Sequence, residues 1–241
     1  MKKLLNIFLF ALCIPLTFIQ AEDQRSIDVR ALYCTSRSEY PAQYYLDTYP
    51  APAELQQMVQ LETFFGQKKI AEIAHREHGR AYTIHTIPGF YFKPELDRVA
   101  GAQILQHIIE QEGYNLLFVP QKYIVGSNND AWVAAQMVRN ICEQPLNKLQ
   151  IQQLCGLVKK SYFIDTHAGN ILPMADGRVA LIDTELDGFA HDKKVRIDGL
   201  FRMLCSLTMT SEARTFLMQE IERERFRNNY DAHSFEKLHI A

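Results

Sequence analysis

Three side chains in one short stretch of this 241-residue chain are spaced so that they could serve a single reaction. Asp165 stands five residues before Asn170, and Asp183 follows Asn170 by thirteen, with His167 between the first two. The apolar runs Asn170-Ile171-Leu172 and Val179 to Ile182 read as two short strands. The segment Pro173 to Arg178 reads as the turn between them, with Asp176-Gly177 as its hairpin signal. Polar groups at the base of such a hairpin meet. A carboxylate able to orient or deprotonate a hydroxyl, beside two oxygen donors suited to magnesium, is the set that phosphoryl transfer requires. Any one of these residues alone reads better as a turn or cap residue; the spaced set points to chemistry.

The pattern Asp165-x-His167-x-x-Asn170, followed by Ile171-Leu172 and then by Asp183, resembles the catalytic and metal-binding segments of the protein-kinase-like fold. It is closer to aminoglycoside and choline phosphotransferases than to ordinary protein kinases. The resemblance covers Tyr162 to Glu185. It implies that Asp165 is the catalytic base with His167 beside it, that Asn170 and Asp183 hold magnesium, and that ATP is the cofactor. It also implies an α+β, two-lobed fold, with a small lobe of antiparallel sheet and one helix and a mostly helical large lobe. Two departures stand out. Phe163-Ile164 replace the polar pair that usually precedes the catalytic Asp, and Thr184-Glu185 replace Phe-Gly after the metal Asp.

The elements that must position this set are read from periodicity. Glu54 to Ile73 has helical spacing, Ala81 to Ile87 alternates like a strand, and Phe90 to Lys93 is extended. Pro94 holds Lys93 in the extended region, and Lys93 is the candidate to pair with nucleotide phosphates. A helix over Glu95 to Glu112 follows. The resemblance asks this helix for an acidic partner to Lys93; Glu110 is the first candidate, with Glu112 and Gln103 as others. Asn115 to Pro120 and Lys122 to Val125 read as strands. Gly126 to Asp130 reads as the loop between lobes, giving a small lobe over 22–126 and a helical lobe over 127–241. Asp130 is expected to cap a helix from Ala131 to about Cys142. Further helices are expected over Asn147 to Lys160, Asp198 to Leu207 and Ser211 to Arg227.

The composition, 47% hydrophobic and 22% charged with a net charge of −2, suits a globular chain and offers no basic field for nucleic acid. Lys2-Lys3, the apolar run Leu4 to Ile19 and small Ala21 read as a secretory signal over 1–21, implying a secreted or periplasmic protein. No later run is apolar enough to span a membrane. Cys34, Cys142, Cys155 and Cys205 show no metal spacing, and buried free thiols are the expected state for the last three. Isolated Gly66 and Gly79 make no glycine-rich phosphate loop. Two other classes stand beside a phosphotransferase with a small-molecule or protein acceptor. One is a catalytically inactive kinase-fold binding protein. The other is a hydrolase built on His167 with the Asp pair around a metal, for which no second His-x-Asp or His-x-His cluster is present; His75 and His78, at i, i+3 beside Gly79, read as a solvated surface pair.

Overall fold

A computed structural model describes residues 41–77, 81–190 and 196–227; the segment 1–21, Cys34, His78 and Gly79 lie outside them. The architecture is α+β. Strands β1 (His75–Arg76), β2 (Tyr82–Thr83), β3 (Phe90–Lys93), β5 (Lys122–Ser127) and β6 (Asp130–Gln136) form an antiparallel sheet in the order β1-β2-β3-β6-β5. A second sheet, β4-β8-β7, joins β4 (Leu117–Phe118) in parallel to β8 (Val179–Leu181), which pairs antiparallel with β7 (Ile171–Pro173). The hairpin expected between the last two is present, and Gly177 supplies the positive φ of +84° that its turn requires.

The segment expected to be a helix after Asp130 is the interior strand β6, between β3 and β5. Its run Asp130-Ala-Trp-Val-Ala-Ala-Gln carries apolar residues at every position from 131 to 135, so an apolar spacing of three is present along with every other spacing. Burial on both faces explains the run. Trp132 and Ala134 join a core with Leu55, Val59, Ile70 and Phe92 on one side, while Val133 and Ala135 join the main core with Val99 and Leu105 on the other. Asp130 does cap a helical turn, but of a different segment. Its carboxylate accepts from the backbone N–H of Ile70 at 2.5 Å. The Gly126 to Asp130 stretch is thus the tight turn of the β5–β6 hairpin, inside the sheet. Gly126 has φ +91°, and a Cβ there would lie 2.2 Å from the Asp130 carbonyl oxygen.

Helices α1 (Ala42–Thr48), α2 (Ala53–Gly66) and the single turn α3 (Ile70–Ile73) precede the sheet. The one long helix expected over 54–73 is divided at Gln67, whose φ is +48°. Helix α4 (Arg98–Glu112) follows β3 and ends on Gly113 in the left-handed region. It begins three residues later than its periodicity suggests, with Asp97 at the N-cap position giving its carboxylate to Leu186 N–H at 3.0 Å rather than to the helix. Helix α5 (Lys148–Ser161) opens with a reciprocal capping box between Asn147 and Gln150. It packs with α6 (Arg196–Ser206) and α7 (Ser211–Arg227) in the main core, where Ile151, Leu154, Ile197, Leu200, Leu217 and Ile221 are buried. Among the described residues no helix is long and apolar enough to cross a membrane.

Candidate functional site

Helix α5 ends at Tyr162, whose left-handed φ of +58° redirects the chain into the 163–170 loop. The apolar departure at Phe163 has a structural reason. Phe163 is fully buried, with its ring 5.2 Å from that of Phe189, and it anchors the loop in the core. Gly188, in a 3₁₀ turn over Leu186–Gly188, offers its carbonyl to the N–H groups of Ile164 (2.9 Å) and Asp165 (3.2 Å). A Cβ on Gly188 would press on Asp165 Cβ at 3.1 Å. On the other side α6 comes close at Gly199, where a Cβ would sit 3.0 Å from the Phe163 carbonyl oxygen, and Thr166 donates its hydroxyl to the Gly199 carbonyl. The loop backbone is therefore clamped between two glycines.

Within this clamp Asn170 Nδ2 donates to Asp165 Oδ2 at 2.6 Å and to the Asp165 carbonyl at 3.2 Å. Arg202 Nη1, on α6, lies 3.3 Å from Asp165 Oδ1. The Gly169 N–H donates to His167 Nδ1 at 3.0 Å, which leaves Nε2 facing Asp165 Oδ1 at 3.6 Å. Asp198, one turn before Arg202, has one buried carboxylate oxygen without a partner among the described residues. Burial pushes its carboxyl above the usual range, and Arg202 opposes that shift.

Asp183 emerges just past β8. Lys93 Nζ, at the end of β3, lies 3.6 Å from its Oδ2. Arg98, in the first turn of α4 and only 2% exposed, forms short ion pairs with Asp183 Oδ1 and Glu185 and a third with Glu95 at 3.2 Å. Between the two acidic residues Thr184 is buried; it donates to the Arg98 carbonyl at 2.7 Å and accepts from Lys122 Nζ at 2.5 Å. Lys122 also donates to the Ile182 carbonyl at 2.9 Å. Its own burial, and then the nearby charges of Arg98 and Lys93, hold its ammonium well below the usual lysine range. Gly101 permits the close approach of α4 to this segment, since a Cβ there would lie 1.9 Å from the Thr184 carbonyl oxygen.

The structure brings together Asp165, His167 and Asn170, and Asn170, Asp183 and Lys93 line one cleft of about 540 Å³ with Tyr91, Gln136 and Val138. A larger concavity of about 740 Å³ beside Lys68, Lys69 and Ser127 gathers none of them. Glu110 is not brought to Lys93. It sits in the last turn of α4 and accepts from Gln106 at 3.0 Å, roughly 18 Å along the helix from Arg98. Glu112 is likewise engaged elsewhere, with Lys160 at 2.6 Å. The start of the helix, rather than its end, faces the cleft, so the lysine meets Asp183 instead.

Arg98, Lys122 and Gly101 escaped the sequence reading. Lys122 did carry a signal, because it shares a strand face with buried Ile124; Arg98, at the head of the small apolar run 99–102, carried only its i,i+3 spacing to Glu95. Among the described residues no three His, Cys, Asp or Glu side chains converge as a metal cage, and His75 meets only the ring of His85, at 4.8 Å. A weaker magnesium site still fits. Asn170 keeps its amide oxygen free while Nδ2 is occupied, and Asp183 Oδ2 faces Lys93 at more than hydrogen-bond distance. Of the expected buried thiols only Cys155 is fully buried, which pushes it up to about 12; Cys142 is half-buried and Cys205 exposed. Compared with known proteins, the chain matches no family model, no curated protein and no solved structure.

Proposed function

We propose that this chain is an ATP- and magnesium-dependent phosphotransferase of the two-lobed, protein-kinase-like type, acting on a hydroxyl of a small-molecule or protein acceptor. One observation carries the reading: Lys93, Asn170 and Asp183, from three separate elements, line a single cleft, with Asp165 one hydrogen bond behind Asn170. The antiparallel sheet with a helix inserted after the lysine strand, set against helices α5 to α7, supports the lobed arrangement.

In this reading nucleotide occupies the cleft. Val138 lines its rim, and its backbone N–H and C=O have no partner among the described residues, so they can meet a purine edge. Lys93 faces the phosphates. Asn170 Oδ1 and Asp183 Oδ2 would hold magnesium, which would neutralise charge on the phosphate oxygens. Asp165 accepts the acceptor's hydroxyl proton as the acceptor oxygen bonds to the terminal phosphorus and the bond to the bridging oxygen breaks, releasing ADP. The Gly188 contacts and the Asn170 amide hold this carboxylate in place, so preorganisation supplies much of the effect. In this reading the sequence over 1–21 acts as a secretory signal, and the exported protein would meet ATP in a host cell or from an extracellular source.

Thermal stability titrated with ATP, with and without magnesium, tests the reading, because a ligand bound to the native state raises the midpoint. A magnesium-dependent rise that Asp183→Ala removes is expected; no shift at millimolar Mg·ATP overturns it. A second reading, a cleft that binds without transferring, draws on the commitment of Asp183 Oδ1 to Arg98, with Lys93 beside the other oxygen. Nucleotide binding with no ADP release on any acceptor would select it.

A further inference from the structure

Resting on the phosphotransferase reading, we infer that this cleft holds a single divalent ion, because Arg98 is built into the place where a second ion would neutralise Asp183. Asp183 has two oxygens. Oδ1 is taken by Arg98, and Oδ2 lies 3.6 Å from Lys93 Nζ, outside hydrogen-bond range and open to the cleft. Arg98 cannot readily give way. Its side chain is 2% exposed, and Glu185 and Glu95 hold the same guanidinium. Freeing Oδ1 would leave a buried cation short of a partner, which is a strongly unfavourable change.

Asn170 contributes one further oxygen, since its nitrogen is committed to Asp165. The chain thus offers two oxygens facing the nucleotide, enough with phosphate and water for one ion that keeps octahedral oxygen coordination. Glu185, the other carboxylate near Asp183, is consumed by Arg98. Two-ion sites set their metals about 3.5–4 Å apart between shared ligands, and here the second set of ligands already faces a guanidinium. Arginine suits this task because its planar fork pairs with several carboxylates and stays charged at every working pH.

Manganese in place of magnesium gives the test. The protein is saturated with Mn²⁺ and the non-hydrolysable analogue AMP-PNP, and bound ions are counted by electron paramagnetic resonance against a protein-free control. One bound Mn²⁺ per chain with an uncoupled spectrum is expected, and Arg98→Met is expected to raise the count to two with dipolar broadening. Two coupled ions in the unsubstituted protein overturn the inference while leaving the phosphotransferase reading intact, and so does an Arg98→Met protein that folds but stays at one ion. If Arg98→Met does not fold, the count on the unsubstituted protein decides. Failure to bind AMP-PNP at all, read independently by thermal shift, overturns the phosphotransferase reading and this inference with it.

Discussion

The two halves of the candidate site are held in opposite ways. The Asp165 half has a local centre, joined by Arg202 from α6. Asp165, His167 and Asn170 lie within six residues, bond to one another, and rest on backbone carbonyls and glycines. The Asp183 half is assembled from afar, with Lys93 from β3, Arg98 from α4 and Lys122 from the start of β5 all converging on 182–185. Local polar sets can be exchanged at modest cost to the fold, because water and backbone amides are near. A buried charge cluster makes the fold itself depend on each member. Substitutions in the first half should therefore change chemistry while sparing stability, and substitutions in the second should change stability first.

The sharpest way to break this contrast is Arg98→Met. It leaves Asp183, Glu185 and Glu95 without their shared cation, and the expected loss is about 3–5 kcal/mol of unfolding free energy, the usual consequence of removing one member of a buried ion cluster. Urea denaturation measures it, and a loss below about 1 kcal/mol would mean the cluster is not structural. Asp165→Ala should do the reverse. Transfer should fall roughly 10²–10⁴-fold, the range for a general base, with nucleotide affinity and the urea midpoint little changed; a collapse of stability would remove the contrast.

Gly101→Ala tests the long-range half without touching charge. Its Cβ would meet the Thr184 carbonyl oxygen at 1.9 Å, so α4 must move away, at an expected cost of about 1–3 kcal/mol. A fully stable Gly101→Ala protein would show that α4 does not seat against the Asp183 segment.

Lys122 sharpens the comparison through pH. Burial lowers its proton affinity in the folded chain below the ordinary 10.5, so the unfolded chain binds more protons over the alkaline range. Stability should then rise with pH up to about 10.5 and level off, with a slope of at most about 1.4 kcal/mol per pH unit from this group. In Lys122→Met that rise should be absent. Parallel pH profiles for the two proteins would place the lysine's charge in water in the folded state. The smallest effect belongs to a residue remote from both halves. Asn147→Ala removes the capping box of α5 and should cost about 1 kcal/mol without altering transfer.

Legibility in the sequence followed the same division. The hairpin, its Asp-Gly turn, helices α5 and α7 and the Asp165–Asn170 spacing were readable because each rests on short-range periodicity or on turn chemistry. The 131–136 segment was not. A strand buried on both faces and rich in alanine has no period of two in its hydrophobicity, and only its place between β3 and β5 makes it a strand. Asp130 was expected to cap a helix over 131–142 that does not form; its carboxylate instead accepts from Ile70 N–H, sixty residues away. Glu110 was the natural acidic candidate on a helix known only by its pattern; which end of that helix meets the cleft is a matter of packing.

What the amino-acid order determined alone is the local chemistry: a carboxylate, an amide and a second carboxylate at the base of a turn, and a lysine stiffened by the proline after it. What the tertiary structure decided is which charges answer one another. Lys93 faces Asp183 rather than a helical glutamate, and Arg98 takes Asp183 and Glu185 together. The reason is physical. Backbone preference and side-chain periodicity act over a few residues, whereas a buried ion pair is set by which elements the core brings into contact, and no spacing along the chain encodes that distance.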